Sequence, residues 1–221
     1  MIEPDSTLLA EVRGRIAAAA RLARREVAEV TLVAIAKTHP AERIAPLIAA
    51  GQRTFGENRV QEAAAKWPAL RDSHPAVELH LVGRLQSNKA ADAVRLFDAI
   101  HSLDRPSLAT SLAAAMDKAD RRVPCFVQLN LADEPQKGGC AVAELAPLLA
   151  QARAADIPLA GLMCVPPEGI EPAPFFALLA KLADDNGLAG LSMGMSDDYE
   201  TAVMLGATHV RVGSALFGGR G

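Results

Sequence analysis

Residues 31–37 read Thr-Leu-Val-Ala-Ile-Ala-Lys, TLVAIAK in one-letter code. The run shows no apolar–polar alternation, and its β-branched members favour a strand. A strand that is apolar throughout is buried on both faces, as in a parallel sheet covered by helices. Pro40 follows closely and opens a helical stretch ending near Gly51. Upstream, Leu8, Val12, Ile16, Ala19, Ala23 and Val27 recur at helical spacing, which predicts an amphipathic helix over 6–28.

The same rhythm continues downstream. Short apolar runs recur at 54–55, 78–82, 98–101, 123–129, 159–163, 190–193 and 207–212. Helical patterns lie between most of them, at 58–70, 107–119, 142–154, 173–186 and 197–205. Strand–helix alternation implies parallel pairing with right-handed crossovers. With the first run, about eight such units predict a single (β/α)8 barrel of TIM type. It occupies 1–221 as one α/β domain with an extra N-terminal helix. An open doubly wound sheet is the alternative. It would place a Gly-rich fingerprint after the first strand, where Lys37-Thr38-His39-Pro40 stands instead. The chain stops soon after the last strand, at FGGRG (217–221), so the N-terminal helix is expected to cover the place of a full eighth outer helix.

Composition narrows the function. Hydrophobic residues make up 50% and aromatics only 4%, so the core must be built from Ala, Leu, Val and Ile. A net charge of -3 gives no footprint for nucleic acid. Arg21, Arg24 and Arg25 read as a solvated helix face. Cys125, Cys140 and Cys164 are odd in number and widely spaced, which fits a reducing compartment and neither a disulfide framework nor zinc. His39, His74, His101 and His209 share no metal-ligand spacing, so no metal is expected. No apolar run approaches the roughly 18 residues of a membrane span, and Glu3 and Asp5 replace a signal-peptide start. A cytoplasmic soluble protein is expected.

In such a barrel the site lies at the C-terminal strand ends. Lys37 ends the first run there. An apolar setting disfavours a lysine's ammonium form, and a neutral amine is what imine formation with an aldehyde requires. The competing reading is a lysine that snorkels from the barrel mouth. Gly213 and Ser214 follow the last strand, where backbone N–H groups can cradle a phosphate. Ser196 could complete that cradle or cap the helix over 197–205. Arg211 should point inward and needs a partner, either a ligand atom or an ion pair with Glu57 or an aspartate. His80 and Asn58 could line the site or be satisfied core groups, the second being preferred for His80. CVPPEGIEPAP (164–174) reads as a loop.

These segments resemble the pyridoxal phosphate homeostasis protein family, relatives of the N-terminal barrel of alanine racemase. The resemblance rests on VAIAKTHP (33–40), FGENRVQE (55–62), HLVGRLQSNK (80–89), HSLDRP (101–106), GLMCVPP (161–167) and LSMGMSDDYETAVMLGATHVRVGSALFG (191–218). It implies that pyridoxal 5′-phosphate is carried as a Schiff base on Lys37. It implies further that Arg211 faces the pyridine nitrogen and that Gly213, Ser214 and Ser196 hold the phosphate. Asn58, His80 and Met195 would line the pocket. The loop around Lys137 departs from the family pattern. A carrier for vitamin B6 homeostasis is the expected function, with pyridoxal phosphate-dependent apo-enzymes as recipients and a monomer as the expected state. A weak amino-acid racemase is the first alternative. It would need a second acid/base, and Tyr199 is the chain's one tyrosine. A phosphate-binding isomerase or aldolase is the second, and it lacks a convincing acid/base pair.

Overall fold

The computed structural model describes residues 4–134 and 136–218. The readings that touch Glu3, Pro135 and the last three residues lie outside them. In chain order the elements are α1 (Pro4–Leu22), β1 (Thr31–Ile35), α2 (Ala41–Ala49), β2 (Thr54–Glu57), α3 (Val60–Ser73), β3 (Glu78–Leu81), α4 (Ala90–Leu96), β4 (Ala99–Leu103) and α5 (Pro106–Ala119). There follow β5 (Cys125–Leu129), α6 (Leu145–Ala154), β6 (Leu159–Cys164), α7 (Ala173–Asp185), β7 (Gly190–Ser192), α8 (Tyr199–Met204), β8 (His209–Val212) and α9 (Ser214–Phe217). All neighbouring strands pair in parallel, and β8 closes onto β1 with Val33 opposite Arg211. The barrel is therefore the expected closed one and not an open sheet.

Strand alternation separates two packed regions. Leu32, Ala34, Phe55, Leu79 and Leu81 face outward and join Ile44, Leu47 and Trp67 of the helices in one buried cluster. Val33, Ile35, His80, His101 and Phe126 face inward, and none of them is exposed. The interior is filled to contact at Gly56, where an added Cβ would sit 2.5 Å from Ile35 Cδ1 and 3.0 Å from Val33 Cγ1. Gly56→Ala is accordingly expected to cost about 1–3 kcal/mol through overpacking, read as a lower urea midpoint with an unchanged slope.

Helix α1 does pack beside α8, α9 and α2, in the place of a full-length eighth outer helix. Its end differs from the sequence reading. It stops at Leu22; Arg24 takes a left-handed φ of 57°, and Val27–Glu29 form a 3-10 turn with Val27 exposed. The reason lies in Arg25, which is not on a solvated face. Its guanidinium donates to Val203 O at 2.8 Å and Ala207 O at 3.0 Å, so the chain leaves the helix to dock on the end of α8. Glu57 is fully buried outside the barrel, where Trp67 Nε1 donates to it at 2.8 Å and Lys66 pairs with it at 2.6 Å. No described helix is long and apolar enough to cross a membrane.

Candidate functional site

The C-terminal strand ends enclose a cleft of about 390 Å³. Of the eight residues singled out from the sequence, Lys37, Asn58, Met195, Ser196, Arg211, Gly213 and Ser214 line it. Thr38, His39, Val82, Val165 and Asp197 line it as well and were missed. Thr38 and His39 stand beside Lys37 in the motif, and adjacency was their only signal.

His80 is the residue that does not reach the cleft. It lies two positions before Val82 on the same inward face, one layer deeper in the barrel. There it is hydrogen-bonded to His101, the interior placement preferred for it from the sequence.

Lys37 stands two residues after the end of β1 and is half-buried. Among the described residues no hydrogen bond or ion pair holds its amine, in contrast with Lys66 and Lys137. Lys137 instead ties its own loop together, pairing with Glu134 at 2.7 Å and donating to Pro166 O at 3.0 Å.

Ser196 does not cap α8, which begins two residues later than expected and has Asp198 at its cap. Its hydroxyl oxygen accepts from the backbone N–H of Gly213 at 3.2 Å and of Ala215 at 3.5 Å. Two amides of the β8–α9 turn thus converge on one oxygen at the cleft wall. That is a concave arrangement of donors suited to an anion.

Arg211 is buried, and its partners are not carboxylates. It donates to Ser192 Oγ at 2.7 Å and to Cys164 O at 2.8 Å. The alternative of an ion pair with Glu57 is not realised, because Glu57 points out of the barrel into its contacts with Trp67 and Lys66. Behind Ser192 the network continues inward: Ser192 Oγ lies 2.8 Å from His101 Nδ1, and His101 Nε2 lies 3.0 Å from His80 Nδ1. A guanidinium can only donate. Ser192 therefore accepts from Arg211, and its hydroxyl, His101 and His80 form one continuous buried hydrogen-bonded chain. Burial favours the neutral form of both imidazoles, pushing His80 from 6.5 to about 4 and His101 well below its ordinary value.

Thiol chemistry has no support at this site. Burial pushes Cys125, Cys140 and Cys164 each up to about 12. No metal-binding group of His, Cys, Asp and Glu forms among the described residues. The arrangement as a whole offers an unpaired amine, an anion cradle and a buried cation without a carboxylate partner, all facing one cleft.

The family model for the alanine racemase N-terminal domain matches residues 9–221. The chain is 40% identical over 219 residues to the pyridoxal phosphate homeostasis protein of Pseudomonas aeruginosa, covering 96% of this chain and 94% of that one. It is similar to the structure of PipY from Synechococcus elongatus with PLP bound, at 40% identity and a TM-score of 0.83, covering 92% of this chain and all of that one. An alanine racemase from Streptomyces coelicolor shares the fold at a TM-score of 0.69 and 20% identity, over 99% of this chain and 62% of that one.

Proposed function

This chain belongs to the pyridoxal phosphate homeostasis protein family, and on that premise we propose that its cleft carries pyridoxal 5′-phosphate covalently on Lys37. The observation that carries the reading is the Lys37 amine, half-buried at the cleft wall with no described partner. Such an amine condenses with an aldehyde: nitrogen replaces the carbonyl oxygen, which leaves as water. The cleft's volume lies in the range of small-ligand sites, about 300–1,000 Å³.

The other residues fit the same ligand. The amides of Gly213 and Ala215, with the Ser196 hydroxyl, would hold the phosphate. Arg211 would face the pyridine nitrogen, with Asn58, Met195 and Ser214 around the ring and the phosphate. The cofactor supplies an electron sink when its ring nitrogen is protonated. An arginine that keeps its own protons, backed by neutral Ser192, His101 and His80, offers that nitrogen no proton. This supports carriage of the cofactor over vigorous carbanion chemistry. Tyr199 supports it too: its hydroxyl is buried and its ring packs under Arg15 of α1, outside the cleft lining. The carrier reading implies apo-enzymes as recipients. A monomer fits a closed barrel, which has no open sheet edge to pair with a second copy.

The test is borohydride reduction of the protein mixed with pyridoxal phosphate, then peptide mass spectrometry. A pyridoxyl adduct on the Lys37 peptide is expected, and an adduct confined to other lysines would sink the assignment. Ser196→Ala should lower affinity for the cofactor about three- to tenfold, the loss of roughly one hydrogen bond. Fluorescence titration checks it, and unchanged affinity would remove Ser196 from the cradle.

A further inference from the structure

Two segments that carry the family resemblance, FGENRVQE and HLVGRLQSNK, are only partly used by the cleft. Asn58 and Val82 line it, while most of their polar residues turn elsewhere. They meet at a second cavity of about 550 Å³, between the loops after β2 and β3. Arg59, Gln61, Glu62, Arg84, Gln86 and Lys89 face it. Asn58 belongs to both linings. The two loops touch at Gly83, where a Cβ would come within 2.2 Å of Asn58 O.

Three cations here face one carboxylate, that of Glu62. Glu62 contacts Arg59 at 3.3 Å. The nearest carboxylate to Arg84 is Asp104, 4.0 Å away and more closely paired with Arg105. Lys89 stands 4.0 Å from Asp92. Arg84 and Lys89 therefore keep positive charge that the protein compensates weakly, and a concave wall focuses its field. The amides of Gln61 and Gln86 add neutral donors. We propose that this cavity binds a small polyanion, bearing phosphates or several carboxylates, beside the cofactor cleft. Arg84 and Lys89 supply charge-assisted hydrogen bonds to it, and Asn58 joins the two sites. The inference rests on this lining and not on what Lys37 carries.

The test is calorimetric titration of pyrophosphate, and separately of citrate, into the full chain with and without pyridoxal phosphate. Saturable binding of one anion per chain is expected once the cofactor occupies its own cleft, and the preferred anion identifies phosphate or carboxylate as the chemistry recognised. Arg84→Gln/Lys89→Gln should weaken it about tenfold or more. Neither side chain hydrogen-bonds another described residue, so the double variant should melt as the parent does. Lys37→Ala should leave anion binding intact. The proposal is overturned by the absence of saturable heat with both anions, by unchanged affinity in the double variant, or by loss of binding in Lys37→Ala. The last result would move the anion into the cofactor cleft. Failure of cofactor loading alone would leave the anion result standing.

Discussion

Lys37→Ala should abolish the yellow colour and absorbance band of the cofactor-loaded protein, together with the borohydride-trapped adduct. The effect is expected to be total, because no other described lysine combines a place in the cleft lining with an unpaired amine. Lys66, the nearest rival in sequence, donates to Ala36 O and His39 O, each at 2.8 Å, and pairs with Glu57. Fold stability without cofactor should change little, since the substitution removes no described contact of the amine. Stability with cofactor should separate the two proteins. A ligand that binds only the folded state adds about 3 kcal/mol at a hundredfold excess over its Kd, and the variant should lose most of that increment. Thermal melts with and without pyridoxal phosphate, run beside the absorbance spectra, give both readouts. A variant that stays yellow would remove Lys37 from the chemistry altogether.

The sequence disclosed the parts of this molecule that depend on local pattern. A strand buried on both faces has no alternation, so TLVAIAK and its successors were legible, and with them the barrel. Lys37, Ser196 and Gly213 stand at strand ends, where position alone selects them. What stayed hidden depends on partners distant in the chain. Arg211 was read as pointing inward, but nothing in residues 209–212 discloses that Ser192 and the Cys164 carbonyl would satisfy it. Glu57 was offered as its partner because it lies at a strand end; one residue of parity sends its side chain outward to Trp67 instead. The end of α1 was misread for a similar reason. Val27 continues the apolar period, yet the contacts of Arg25 with the α8–β8 turn pull the chain out of the helix. The short helix α4, of seven residues, is too brief to show a period.

The interior histidines carry the second large effect, a loss of stability in mild acid. His80, His101 and His209 are packed together inside the barrel, with ring centroids 5.0 to 5.9 Å apart. Burial, reinforced by the neighbouring imidazoles and Arg211, pushes His80 and His209 to about 4 and His101 well below 6.5. In the unfolded chain each takes up a proton near its ordinary value of about 6.5. Between pH 6.5 and 4 the unfolded state therefore binds more protons than the folded one, and stability must fall as pH falls. Above 6.5 neither state is protonated at these sites and the effect vanishes. Over that window His80 and His209 each cost on the order of 3 kcal/mol. His101 adds to the same sign. The sum is comparable with the roughly 5–15 kcal/mol that holds a typical domain together. Urea midpoints should be level from pH 8 to 7, then fall steeply through pH 6 and 5, with cooperative acid unfolding above pH 4. His209→Gln isolates one share of the slope: its midpoint at pH 7.5 will be lower through lost packing, but its decline per pH unit should be shallower than that of the parent. Midpoints that stay level between pH 7 and 5 would show that these imidazoles are hydrated and titrate normally, and the neutral relay behind Arg211 would fall with them.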